Sequence, residues 1–563
     1  MTEITQRECK FAIHVPSRNL QQQPDIHVVK ERLTLADGST RSNLRFIQNF
    51  KRPFFITKPS FRNHEQKKET EDLDKVIETK VTQSELRNAV AKALDKPWSK
   101  DGLKQLSASP FLYGTDMSST SLIKYEYQKR YPEANSAFSV CTFDIETDVV
   151  NGTELLIMAT ITFQNKCFTA ILKDFVKGFS HVEDLLRIKA NEYIQDYLEK
   201  HGMVPEFYIA DDHVDLLKEV FKRLHEWQPD FLAIWNMNFD VPHVLKALQH
   251  YGVDPREVLC DPSIPEEYRI CRYKQGPNKK VTASGRVIPI SPASQWHTLF
   301  LTASFYVIDA MCTYKQIRLA DQEEPSYALD AILGKRLGIR KLKFEQAEGY
   351  SGLKWHQFMQ TQYKLEYIIY NIFDSLSMLE LDMVTKDLTL TLPSYAGVSD
   401  FSEFKSQPRK IADAFYFFCL EHNKVLGTVP PSEQKIETDM EEASDDEEED
   451  EDYNDETLNL RGWVTTLPSH MVVPGLCLIE EDPTIATNIR THVFDSDAVS
   501  AYPTCISVAN VSKSTTKREI IKIGEIDEEV FRLQNINCLF GRVNSLEYGV
   551  EMFAFKKPWE ITL

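Results

Sequence analysis

Phe143-Asp144-Ile145-Glu146-Thr147 ends an apolar run that begins at Ala137. The run reads as a β-strand, and in a strand residues two apart leave the same face. Asp144 and Glu146 therefore share a face near the strand's C-terminal end, where α/β sheets place their sites. Two carboxylates so placed repel unless a cation lies between them, and a divalent metal is the usual answer. D-x-E is common on ordinary surfaces, so its meaning depends on its surroundings.

Those surroundings alternate between strand and helix patterns. Residues 154–163 and 167–171 read as strands, and 182–199 and 214–225 have helical spacing. Residues 231–235 form a short buried-strand pattern, 242–251 a helix, and 305–310 a further strand. Such alternation implies an α/β core over 137–395. Within it, 269–280 is basic and turn-rich around Gly276-Pro277, and reads as an exposed loop or hairpin. Residues 366–388 give the longest helix, with a break expected near Lys386.

Two further acidic positions stand out. In Trp235-Asn236-Met237-Asn238-Phe239-Asp240-Val241-Pro242, Asp240 precedes a helix expected to begin near Pro242. It either caps that helix or faces a metal. In Tyr370-Asn371-Ile372-Phe373-Asp374, Tyr370 and Asp374 are four apart and share one helix face. An Asp within so apolar a helix is costly if buried and unpaired. Metal coordination removes that cost, as does a hydrogen bond from a neighbour.

The flanking regions differ in character. Residues 1–136 form an N-terminal domain with a strand, turn, strand pattern at 45–56 and one or two surface helices in 64–96. Lys51, Arg52, Lys58, Arg62, Lys67 and Lys68 give it a basic, solvated surface. A helical connector spans 396–430, with a strongly apolar helix at 411–421. Residues 431–457 contain the acidic run, with fourteen Asp and Glu and no base between 437 and 456. That composition builds no core and reads as a disordered insertion. It accounts for most of the net charge of −19, so the remainder is near balance and a nucleic-acid partner is not excluded. Residues 458–563 return to strand patterns at 471–479, 492–495 and 520–523.

Compartment follows from what the chain lacks. The ten Cys include no C-x-x-C pair, which fits buried thiols better than zinc or a disulfide scaffold. No run of about 18 apolar residues occurs, and the N-terminus has no signal-peptide pattern. These features argue against a secreted, membrane or fibrous protein. The expectation is an intracellular one, in the host cytoplasm if viral.

Taken together, the three acidic segments resemble the three exonuclease motifs of the proofreading domain of family B DNA polymerases, in order and in context. Val307-Ile308-Asp309 with Tyr314-Lys315, then Pro325-Ser326-Tyr327-Ala328-Leu329-Asp330, resemble the stretch before the third motif in polymerases of the T-even phage type. The middle motif, Asn-x-Asn-Phe-Asp, is one residue shorter than in many relatives, which leaves the alignment of Asn236 open. Asp495-Ser496-Asp497-Ala498-Val499-Ser500-Ala501-Tyr502-Pro503 resembles polymerase motif A, with Ala501 in place of the usual Leu.

The resemblance implies an α/β multidomain chain: a β-rich N-terminal domain, an RNase H-like 3′→5′ exonuclease domain and a partial palm. Asp144, Glu146, Asp240 and Asp374 would hold two Mg²⁺ ions, or Mn²⁺, with Tyr370 positioning the attacking water. Phe239 and Tyr327 are candidates for stacking on terminal bases, and the bases of 269–280 for contacting phosphate. Asp497 would be a catalytic metal ligand of the palm, and Ser500 and Tyr502 would meet a dNTP. The implied partners are primer-template DNA, a single-stranded 3′ end, dNTP when assembled, and a sliding clamp, with no membrane.

No D-T-D motif follows Asp497, and Asn544-Ser545-Leu546-Glu547-Tyr548-Gly549 matches the fingers motif poorly. The expectation is a polymerase portion that polymerises only with a second polypeptide or a further C-terminal part. The alternatives are a stand-alone exonuclease with a vestigial palm, or a non-catalytic DNA-binding subunit.

Overall fold

The computed structural model describes residues 3–17, 23–65, 67–96, 102–281, 287–319 and 323–427. They build a multidomain mixed α/β architecture whose N-terminal region is rich in short β-strands.

In that region β1 (Ile4–Val15), β2 (Ile26–Leu35) and β3 (Thr40–Gln48) form an antiparallel meander. A second sheet places β4 (Arg52–Thr57) between β6 (Val76–Val81) and β7 (Leu112–Tyr113). The short β5 (Thr70–Asp72) pairs with β18 (Lys424–Leu426), from the far end of the described chain. Helices α1 (Leu86–Ala93), α2 (Leu103–Leu106) and α3 (Ser119–Arg130) complete the region. The expected strand, turn, strand of 45–56 is therefore present. Of the one or two helices expected in 64–96, one is present as α1, and the earlier part of the stretch forms strands at 70–72 and 76–81 instead. Arg52 also departs from the solvated reading. It is buried, donating to the Gly114 carbonyl at 2.7 Å and to Gln83 at 2.8 Å.

The larger sheet carries the acidic strand. Its six strands are β8 (Val140–Thr147), β9 (Leu156–Phe163), β10 (Lys166–Leu172), β11 (Val204–Ala210), β12 (Phe231–Ile234) and β17 (Tyr306–Asp309). Their order is β11-β10-β9-β8-β12-β17. Strands β8, β9 and β10 form an antiparallel meander, β12 and β17 run parallel to β8, and β11 runs parallel to β10. Helix α4 (Val182–His201) links β10 to β11, and α5 (His213–Trp227) links β11 to β12. After β12 come α6 (Met237–His250) and α7 (Pro255–Leu259). Two small ladders follow, β13 (Cys271–Lys274) with β16 (Thr298–Leu301) and β14 (Lys279–Val281) with β15 (Val287–Pro289). Helices α8 (Ala310–Ile317), α9 (Leu329–Arg336), α10 (Leu353–Gln362), α11 (Lys364–Thr385), α12 (Leu392–Ala396) and α13 (Gln407–Glu421) close the order. Among the described residues no helix is long and apolar enough to cross a membrane.

Burial explains the placement of β8. Both its edges are paired, and both its faces are covered by helices. The odd positions Cys141, Phe143 and Ile145 join a core with Leu217, Val220, Phe221 and Leu224 of α5 and Val241 and Val244 of α6. Each large side chain buried there contributes about 1.5–3 kcal/mol. The even positions Thr142, Asp144 and Glu146 point the other way, towards α11. Helix α11 is apolar nearly all round and is buried from Leu365 to Asp382, as such a helix must be. It stops at Lys386, whose φ of 57° is left-handed, close to the break expected from sequence.

Residues 1–136 are stitched to the larger sheet by buried charges. Arg32 pairs with Asp230 at 2.5 Å, and Lys30 donates to the Gln228 carbonyl at the end of α5. The described thiols are free, and five of the seven are buried, matching their reading as small apolar residues.

Candidate metal centre

Asp144 and Glu146 reach the centre from β8, and Asp374 reaches it from α11. One carboxylate oxygen from each lies within 4.8 Å of the others. The register that permits this is local. In β8, Asp144 lies opposite Thr160 of β9 and Glu146 opposite Met158, so both project from the face that α11 covers.

Asp240 approaches from α6. It is 3% exposed and lies outside the trio. Its electrostatic neighbours are Asp144, Glu146 and Asp309. The helix begins at Met237, five residues before the start expected at Pro242, so Asp240 sits inside the first turn rather than ahead of it. Pro242 lies inside the helix, where its missing N–H forgoes the bond to the Asn238 carbonyl, a local cost that the helix bears near its start. The N-terminal end of a helix favours negative charge, which partly offsets the burial of Asp240.

Each carboxyl is held far from its ordinary ionisation. Burial, then repulsion from Asp374, Asp240 and Glu146, pushes Asp144 well up. Burial pushes Glu146 up to about 8, although the Tyr367 hydrogen bond opposes the rise. Burial likewise raises Asp240 and Asp374. Among the described residues the cation that answers this charge is Lys341. Lys341 donates to Asp374 Oδ2 at 2.5 Å and to the Tyr370 hydroxyl at 3.2 Å. Burial alone would lower the lysine, but Asp374, Tyr370 and Asp144 together hold it well above its usual range.

The arrangement fits a divalent ion. Asp374 Oδ1 is buried with no hydrogen-bond partner, which is expensive for a carboxylate oxygen. All-oxygen donors from three carboxylates suit Mg²⁺ or Mn²⁺ rather than zinc. Asp144, Glu146 and Asp374 would be the core of such a site, with Asp240 at its edge.

Comparison with protein-family models finds no match to this chain. No curated protein matches it either.

Tyr370 lies on the same face of α11 as Asp374, its hydroxyl accepting from the Lys341 ammonium that also meets Asp374, and its ring is tilted against Trp355 with centroids 4.9 Å apart. Of the two aromatic candidates, Phe239 is 39% exposed beside Asp240, with its ring centroid 4.4 Å from that of His243. Tyr327 is half-buried against the core, with the Lys315 ammonium 5.2 Å from its ring centroid, and is committed to packing. Residues 271–274 and 279–281 form strand ladders within the basic segment, with Arg272 and Lys274 exposed. Asp497, Ser500 and Tyr502 lie outside the described residues.

Four neighbours of the centre escape a motif reading: Lys341, His356, Tyr367 and Asn371. Lys341 comes from a loop 33 residues before Asp374, and no spacing rule connects the two. Tyr367 and Asn371 carry a usable signal. Residues 367, 370, 371 and 374 fall at i, i+3, i+4 and i+7, a single helical face.

Proposed function

We propose that this chain is a metal-dependent 3′→5′ DNA exonuclease with an RNase H-like core. The observation that carries the reading is the convergence of Asp144, Glu146 and Asp374 on a buried point where one carboxylate oxygen lacks any partner. Such a cluster is unfavourable without added positive charge, and phosphodiester hydrolysis is chemistry that needs that charge. The sheet supports the fold assignment. Numbering β8, β9, β10, β12 and β17 as one to five gives the order 3-2-1-4-5 with only the second strand antiparallel to the rest, and β11 is added beside the third.

Divalent ions bound there would activate a water and stabilise the departing 3′ oxygen. The chain's own groups would do the rest. Asp144, Glu146, Asp240 and Asp374 would hold the ions. Tyr370, placed by the same helix face as Asp374, would orient the water. The Lys341 ammonium, already inside the acidic pocket, would turn to the scissile phosphate and balance its charge. Phe239 would stack on a terminal base. The motif A-like segment around Asp497 adds the proposal that the chain is a portion of a family B DNA polymerase.

A 5′-labelled primer-template, incubated with Mg²⁺ and with or without dNTPs, tests this. The expected result is stepwise shortening from the 3′ end, abolished by chelator and by Asp144→Ala with Glu146→Ala. A chain that binds primer-template yet releases no nucleotide would overturn the reading. Extension on adding dNTPs to this chain alone would show that no second polypeptide is needed.

A further inference from the structure

We propose that Tyr367 and Asn371, one turn apart on α11, are positioning residues that fix the two β8 carboxylates for metal binding. The inference rests on reading the centre as a divalent-metal site, and neither residue is itself a ligand.

Asn371 is held from behind. It is fully buried, and its Oδ1 accepts from the Thr160 hydroxyl at 2.6 Å. The Thr160 oxygen lies 2.9 Å from the Thr169 hydroxyl, which supplies it with a proton in turn. With its carbonyl committed, Asn371 has only its amide to offer the centre, and Nδ2 donates to Asp144 Oδ2 at 2.6 Å. Flipping the amide would set a carbonyl oxygen against a carboxylate oxygen. The chain Thr169, Thr160, Asn371, Asp144 therefore has one direction.

Tyr367 obeys the same accounting. Its hydroxyl has one proton. Gln360 Nε2 donates to it at 3.3 Å, and His356 Nδ1 lies 2.8 Å away. With Glu146 ionised, as a bound cation would hold it, the carboxylate only accepts, so the phenol proton goes to Glu146 Oε2 and His356 Nδ1 is a donor to the phenol. Gln360 also spans the end of β8, donating to the Thr147 carbonyl at 2.8 Å and accepting from the Val149 amide at 3.2 Å. The strand end and its carboxylate are thus tied to one buried frame.

The division of labour on α11 follows. Positions 370 and 374 face the centre directly. Positions 367 and 371 each engage one oxygen of a β8 carboxylate, which locks its rotamer. Partners of this kind typically change metal affinity by about 10–100-fold when removed.

The test measures Mn²⁺ binding to the full chain without DNA, by calorimetry or by the electron paramagnetic resonance of free Mn²⁺. Tyr367→Phe removes one oxygen, and Asn371→Leu keeps the side chain's size. Circular dichroism checks that each variant keeps its fold, and Tyr367→Phe serves alone should Asn371→Leu fail to fold. Each variant should weaken Mn²⁺ binding by about 10–100-fold, and high Mn²⁺ should restore DNA shortening in them but not in Asp144→Ala. Wild-type binding with unchanged affinity in the folded variants overturns the positioning role alone. Binding that weakens as expected in a chain that shortens no DNA supports the positioning role and overturns the exonuclease reading. Absence of Mn²⁺ binding by the wild-type chain overturns both.

Discussion

Replacing Glu146 by glutamine removes a carboxyl whose ionisation the fold opposes, and the metal-free protein should respond through its pH dependence. An ordinary carboxyl of this type titrates at 4.5, whereas burial pushes Glu146 up to about 8. Between those values the folded chain keeps a proton that the unfolded chain has released. Stability therefore falls as pH rises through this window, and the loss levels off above about pH 8. At about 1.4 kcal/mol per pH unit, the cost between pH 5 and pH 8 is roughly 3 kcal/mol. The Glu146 side chain is 12% exposed, so solvent screens little of this. The neighbouring carboxyls titrate with it as a set, and Glu146→Gln removes one member's share. Thermal unfolding in chelator at pH 5, 6, 7 and 8 reads the effect. For a cooperative unit of about 150–250 residues, 1 kcal/mol corresponds to roughly 2–4 °C. The melting temperature of Glu146→Gln should therefore gain on the wild type by several degrees from pH 5 to pH 8. Adding Mg²⁺ at pH 8 should stabilise the wild type more than the variant. Parallel pH profiles for the two chains would refute the argument, because they would mean that Glu146 is ionised in the fold at no cost.

Other perturbations have equally definite outcomes. Lys341→Met leaves Asp374 buried without its cation; the metal-free chain should lose up to about 3 kcal/mol, while calorimetry should find Mn²⁺ bound more tightly because a competing ammonium is gone. Arg32→Met takes the cation from the fully buried Asp230 carboxylate and leaves it the Ser139 amide and hydroxyl; a loss of about 3 kcal/mol in urea unfolding is expected, with Mn²⁺ affinity unchanged. Gly276→Ala would place a Cβ 1.7 Å from the Gln295 carbonyl oxygen. The backbone must then shift, and limited proteolysis should cut this segment faster in the variant.

The legible parts of the sequence were those where periodicity and burial agree. In β8, Phe143 and Ile145 alternate with Asp144 and Glu146, and that alternation alone predicts the strand and the shared face of the two acids. Helix α11 is legible for the opposite reason, since a long apolar run is buried on all sides. What failed depended on distant partners. Ile77, Thr79 and Val81 alternate with Glu78 and Lys80, but Ile77 is exposed and little apolar surface marks the buried face, so the strand is fixed by its pairing with β4. Strand β5 depends on β18, some 350 residues later. Arg52 reads as surface because an arginine's burial depends on acceptors at Gln83 and Gly114, which no local window contains. A proline reads as a first helical residue, which places the start of α6 at Pro242, whereas packing of Met237 and Val241 against the sheet carries the helix back to Met237. Lys341 was invisible for the same reason as Arg52: its role exists only once a loop meets α11.

The layer between α11 and the sheet explains why two carboxylates on a strand can be aimed at all. Apolar packing there would be indifferent to small slips of helix against sheet. Instead, the Thr142 hydroxyl donates to the Ser375 carbonyl at 2.8 Å, and Thr162 lies 2.9 Å from the Ser375 hydroxyl. Thr160 meets Asn371 one helical turn earlier. All of these groups are buried, so each bond lost by a slip would leave a donor or acceptor unsatisfied, at about 1–3 kcal/mol apiece. A one-residue slip of β8 would be worse, because it would turn Phe143 and Ile145 towards the centre and the two acids into the opposite core. The hydroxyls of 142, 160, 162 and 375 therefore set a register, and Asp144, Glu146 and Asp374 meet because that register admits one solution. Stability alone would favour apolar residues at these positions, so the polar layer is best understood as the cost of holding four mutually repelling carboxyls in a fixed arrangement.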